Sequence, residues 1–127
     1  MHHSRLAGFI IDCDTDDLDS AAEFWSKALG YPASRSDDPA EENYVKLETP
    51  DDEIDIEVQK VSHESRLHLD IESDDIDSEV GRLEALGAKR IVKGRRWWIM
   101  EAPTGQRFCV INPCRSDFES KANAWED

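Results

Sequence analysis

The sequence predicts an α+β domain built from a repeated βαβββ unit, and three observations carry that expectation. The motif DDxDS occurs twice, at residues 16–20 and 74–78. Each copy follows an apolar, strand-prone run and opens a helix-length segment that ends in Leu-Gly, at Leu29-Gly30 and Leu86-Gly87. Downstream of each, ETPDDEIDIEVQ at 48–59 aligns with EAPTGQRFCVIN at 101–112. Blocks recurring in one order imply a duplicated structural unit of about fifty residues.

The first unit opens on a strand at 7–13. Asp17 or Asp19 caps the helix that follows, because a carboxylate there accepts from amides that lack an intrahelical partner. Ala21, Ala22, Phe24, Trp25, Ala28 and Leu29 give this helix an apolar stripe. Gly30 stops it, since glycine takes a left-handed φ without steric cost. A short strand near Ser34 and strands at 44–48 and 54–61 follow, the last two joined by a turn at 49–52. The acidic segment 35–42 is expected to be a mobile loop.

The second unit repeats this order. A strand is predicted at 66–72, then a helix over 76–86 ended by Gly87. Strands follow at 90–93, 97–101 and 107–112, with a turn at Pro103-Thr104-Gly105. The organisation expected is one domain over 1–112, with modules at about 6–61 and 66–112. The tail 113–127 has no assignment from sequence. Trp125 either docks it on the body or leaves it disordered.

Composition narrows the function. A net charge of −14 repels nucleic-acid phosphates and anionic membranes, so neither is an expected partner. No apolar run approaches the roughly 18–20 residues needed to span a bilayer. Met1 to Ser4 shows no signal-peptide apolar core, so a cytoplasmic protein is expected. Three cysteines, at 13, 109 and 114, are odd in number and widely spaced, which argues against a disulfide framework. No CxxC or HExxH pair signals a structural zinc site.

The segments LDSAAEFWSKALGY, HLDIESDDIDSEVGRLEALGAKRI and EAPTGQRFCVIN, taken in order, resemble landmarks of the glyoxalase/bleomycin-resistance/extradiol-dioxygenase (vicinal oxygen chelate) superfamily. They look most like its glyoxalase-like subgroup. The resemblance covers roughly residues 6–112. It implies two βαβββ modules whose mixed sheet curls around a cavity, and a homodimer. The closing turn departs from the family pattern, with Ala102 and Gln106 where an aspartate and an asparagine are usual.

Metal-dependent relatives place four ligands on that cavity. Carried over residue by residue, the positions fall on Ile10, Ile56, His68 and Cys109. The internal repeat pairs them the same way, Ile10 with His68 and Ile56 with Cys109. Two isoleucines cannot coordinate, so the expectation is no metal and no other cofactor. One register question stays open. In residues 54–59, the apolar face of Ile54, Ile56 and Val58 suits a helix, which would turn Asp55, Glu57 and Gln59 to the cavity side.

Strand alternation puts Ile10, Asp12 and Asp14 on one face, with His68, Asp70 and Glu72 on the matching face of the second unit. Phe9, Ile11, Cys13, Leu67, Leu69 and Ile71 take the opposite face, suited to packing on helices. His68 beside Asp70 is either a general base oriented by a carboxylate or a structural histidine. These two are the catalytic candidates. The ligand-binding candidates are Asp12, Glu57, Trp98, Arg107 and Cys109. Each has a plain alternative: Cys109 as a small buried residue, Trp98 as core filling, the carboxylates as partners of Arg107 or water. Of the neighbours Trp97 and Trp98, one faces the cavity and the other does not.

Three functions remain in play. The first is an enzyme, of metal-independent lyase or isomerase type, acting on a small organic molecule through His68. The second is a non-enzymatic protein that sequesters a small cationic or aromatic compound, as bleomycin-resistance relatives do. The third is an interaction domain with a vestigial pocket. Fold alone does not choose among them.

Overall fold

The computed structural model describes residues 1–127, as two compact units: residues 9–67, and residues 1–8 together with 68–127. Strand β1 (His2–Asp14) is shared, its first half in the second unit and its later half in the first. No helix is long and apolar enough to cross a membrane.

In the unit of residues 9–67, β1 is followed by α1 (Leu18–Leu29), β2 (Ala33–Ser34), β3 (Tyr44–Leu47) and β4 (Asp55–Val61). The strand order is β2-β3-β4-β1. Asp17 is the helix cap, accepting from the Ser20 amide at 3.1 Å and the Ser20 hydroxyl at 2.7 Å. Gly30 ends the helix at φ 82°. The side chains of Ile11, Leu18, Ala22, Val45, Leu47, Ile56 and Val58 form the core, with Phe9, Cys13, Trp25 and Tyr31 around it. The acidic segment expected to be a loop carries a 3-10 turn over Pro39–Glu41, capped by Asp38. Arg35 ties the segment down, through Asp19 at 2.6 Å and the Glu42 carbonyl at 3.1 Å.

The second unit holds the start of β1, then β5 (Arg66–Ser73), α2 (Ile76–Ala85), β6 (Lys89–Lys93), β7 (Trp97–Glu101), β8 (Arg107–Ile111), α3 (Phe118–Lys121) and β9 (Asn123–Trp125). Its order is β1-β5-β8-β7-β6, with β9 added to β1. Asp75 caps α2 as Asp17 caps α1, accepting from the Ser78 amide at 3.1 Å and the Ser78 hydroxyl at 2.8 Å. The repeated DDxDS motif is therefore a helix-capping device used twice. Val80, Met100 and Val110 are wholly buried, with Ile76, Leu83, Trp98 and Phe108 packed on them.

Two sequence expectations change here. Leu67 and Leu69 do not join the helix-side core; they are 62% and 50% exposed. β1 also begins five residues earlier than its apolar run, at His2. The reason is the tail. β9 pairs antiparallel with β1, His2 opposite Trp125. The Trp125 indole donates to the Ser4 hydroxyl at 2.8 Å, and Arg82 stacks 3.8 Å from the centre of its ring. Polar residues His2 and Ser4 are buried by these partners, a feature that apolar patterning does not register.

Candidate functional site

β5 and β8 run parallel and side by side, with Leu69 opposite Phe108, Asp70 opposite Cys109 and Ile71 opposite Val110. Residues opposite one another share a face of the sheet, and neighbours along a strand alternate faces. Val110, Phe108, Met100 and Trp98 are on the side packed with Val80 of α2. His68, Asp70 and Cys109 are consequently on the other side. β7 continues this face, since Ile99 lies opposite Cys109 and Trp97 opposite Ile111.

The three side chains converge. The Nε2 of His68 is 3.6 Å from the Oδ1 of Asp70, and both residues are partly buried, at 14% and 18% exposure. One ligating atom from each of His68, Asp70 and Cys109 falls within 4.8 Å of the others. The 3.6 Å separation is longer than a hydrogen bond. A contraction of about 0.7 Å would make it a charge-assisted hydrogen bond.

The remaining predicted residues are distributed as follows. Arg107 is two residues before Cys109 on β8 and is paired with Glu101 at 3.3 Å. Asp12 is 2% exposed, and the Nε of Arg66 stands 3.8 Å from its Oδ2. Glu57 lies opposite Lys46, on the face of β4 away from Ile56 and Val58, which are core residues. Trp98 is placed otherwise than the ligand-binding expectation requires. It packs on the α2 side, with Arg90 and Lys93 at 5.2 and 5.9 Å from its ring. The tryptophan on the face of Cys109 is Trp97, 41% exposed. Sequence could not choose between the pair, because both are aromatic and the strand boundary alone sets which one faces where.

Glu72, also on this face, is fully buried and engaged. It accepts from the Nε of Arg5 at 2.7 Å and from the amides of Cys114 and Arg115 at 2.7 and 3.1 Å. Its role is to anchor the chain leaving β8, which no local pattern in the sequence announced.

The profile of the glyoxalase-like domain family matches residues 9–111. The chain belongs to the glyoxalase-like domain family. No curated protein matches it. Among solved structures it is similar to a hypothetical protein from Bacillus halodurans C-125, with a TM-score of 0.63 and 14% identity over 89% of this chain and 96% of that one. It is also similar to methylmalonyl-CoA epimerase from Mycobacterium tuberculosis, with a TM-score of 0.59 and 18% identity over 86% and 87% of the two chains. An extradiol ring-cleaving dioxygenase from B. fuscum gives a TM-score of 0.57 and 17% identity over 85% of this chain and 32% of that one. At these identities the likeness establishes the fold alone, an α+β fold.

Two of the four positions carried over from metal-dependent relatives are apolar in the register read from the sequence. Ile10 and Ile56 are buried, at 5% and 7% exposure, and neither carries a donor atom. Ile56 is moreover a core residue of the first unit, beside Leu18 and Ala22. Val58 and Val110 occupy corresponding core positions in their units, which makes Glu57 the counterpart of Cys109. The repeat as read from the sequence is thus one residue out of step at this strand. The cause is the turn before it, which is longer between β3 and β4 than between β7 and β8.

Proposed function

We propose that this glyoxalase-like protein binds a small organic molecule on the His68–Asp70–Cys109 face of β5 and β8, and that His68 moves a proton on it. The observation that carries this reading is the partly exposed imidazole standing 3.6 Å from a carboxylate. An imidazole within reach of a bound molecule is a general acid and base, so His68 can accept a proton from that molecule and return it. Such a transfer is the core of a lyase or isomerase reaction. One structural neighbour is a methylmalonyl-CoA epimerase, an isomerase by its name, which supports the reaction type. No step is assigned to the family's four-position metal centre.

A second reading is sequestration without chemistry, favoured by the exposed Trp97 on the same face, which offers a ring for stacking. One experiment separates the two. Chelator-treated protein is screened by thermal shift against aromatic, cationic and oxo-acid compounds, and hits are followed by proton exchange into deuterated solvent. Enzyme action predicts exchange that His68→Gln slows about 10²–10⁴-fold while the affinity is largely kept. Sequestration predicts binding without exchange. A screen with no hits in any class overturns both.

A further inference from the structure

We infer that the molecule bound on the His68 face is an organic carboxylate with an apolar or aromatic body, and that Arg107 and Lys89 hold its carboxylate beside His68. The inference rests on the reading that this face is the functional one, and it names the class of the substrate.

Strand register divides the face into levels. One residue before the Leu69–Phe108 pair, the parallel strands β5 and β8 bring Arg107 level with His68. Glu101 lies opposite Arg107, and Lys89 lies opposite Glu101. This first level therefore carries two cations to one carboxylate. The second level holds Asp70, Cys109 and Ile99, and the third holds Ile111 and Trp97. Successive levels are about 6.6 Å apart, the rise of two residues along a strand. One end of the face is thus cationic and the other apolar.

The guanidinium of Arg107 is free to take an anion. Its hydrogen bond within the chain runs from Nε to Glu101 at 3.3 Å, which steadies the group and leaves both terminal nitrogens unengaged. The side chain is 38% exposed, so a ligand can reach them. Two parallel N–H donors match the two oxygens of a carboxylate. Lys89 is exposed on β6 and adds a second positive charge. Glu101 offsets one of the two and leaves the level with a net positive charge. At the other end, Ile99 and Ile111 are half-buried and Trp97 is exposed, a floor on which an alkyl chain or a ring sheds water. Asp70 sits one level toward that floor and repels an anion placed there. The orientation favoured is the ligand's carboxylate at Arg107 and its body over Ile99.

The test is a calorimetric titration with probes that share one body and differ in charge: phenylpropanoate, phenylpropanamide and phenylpropylammonium. The acid is expected to bind most tightly. Arg107→Gln weakens it on the order of 10–100-fold, to the level of the amide, and leaves the affinity of the amide unchanged. Lys89→Gln, at an exposed position, weakens the acid about two- to fivefold and makes its binding less sensitive to salt. The inference is overturned if the amide or the ammonium binds as tightly as the acid, if Arg107→Gln leaves the affinity of the acid unchanged, or if none of the probes binds. The reading of this face as a small-molecule site falls separately, when the wider screen of aromatic, cationic and oxo-acid compounds is blank.

Discussion

The Nε2 of His2 lies 2.8 Å from the Oε1 of Glu79, and the two side chains are 2% and 0% exposed. The other ring nitrogen of His2 is hydrogen-bonded to Asp127. Glu79 also accepts from the Ser4 hydroxyl at 2.7 Å and from two guanidinium nitrogens of Arg82 at 2.8 Å. β1 and α2 are therefore joined through one buried carboxylate, and Trp125 of β9 contacts two of its partners, Ser4 and Arg82. Glu79→Ala leaves His2 and Arg82 without their shared partner. We expect a loss of about 3–5 kcal/mol in urea unfolding, the usual cost of breaking a buried ion pair from one side. A loss of a few tenths would mean that the network is solvated.

The same pair gives a pH dependence. Burial alone would lower the His2 pKa, but the hydrogen bonds and charges of Glu79 and Asp127 outweigh it and hold the pKa above the ordinary 6.5. A raised folded value means that the contribution is complete below about pH 6.5 and is lost as pH climbs through the folded value. Thermal unfolding of the parent and of His2→Gln should differ most near pH 6, the gap narrowing toward pH 9. A gap that stays constant over that range would show that His2 contributes by packing rather than by charge.

On the acid side the sensitive group is Asp117. Its hydrogen bond to Arg5 brings its pKa from 3.8 down to about 2. A lowered folded value means that stabilisation is present above pH 4 and disappears as pH falls toward 2. Amide protection factors in α3 and β9 should fall over that interval in the parent protein. In Asp117→Asn they should be low already at pH 5 and change little on acidification.

The two helix caps can be tested as a pair. Asp17→Ala and Asp75→Ala each remove a carboxylate that accepts from an amide and a hydroxyl three residues on. Each should cost about 0.5–2 kcal/mol. Asp19→Ala, which leaves the cap of α1 in place, should cost less than Asp17→Ala in the same denaturant titration.

Gly94 packs against the ring of Trp97. A Cβ built on Gly94 would come 2.2 Å from Cε2 of that ring, so Gly94→Ala must displace the indole. The expected outcome is an altered near-ultraviolet circular dichroism signal with the far-ultraviolet spectrum kept. If Trp97 provides a stacking surface for a ligand, the affinity of screen hits falls with it. An unchanged near-ultraviolet spectrum would rule out the close packing of Trp97 on residue 94.

Much of the fold is local and was therefore readable from the chain. Asp17 and Asp75 act on amides three residues away, and Gly30 and Gly87 take left-handed φ values of 82° and 109° where the helices stop. Alternation along 66–72 was enough to put His68 and Asp70 on one face. The tail and the long first strand were not readable, because His2, Ser4 and Glu79 are polar residues buried by partners more than seventy residues distant.

By itself the sequence determined the repeated order of elements, their caps and stops, and which residues carry donor atoms. The tertiary structure alone decided that Asp70 stands opposite Cys109, that Trp97 rather than Trp98 shares their face, and that Ile56 turns to the core while Glu57 turns away. The physical reason is that each of these depends on register. Pairing between strands far apart in the chain is chosen by burial summed over a whole face, and a shift of one residue exchanges the faces.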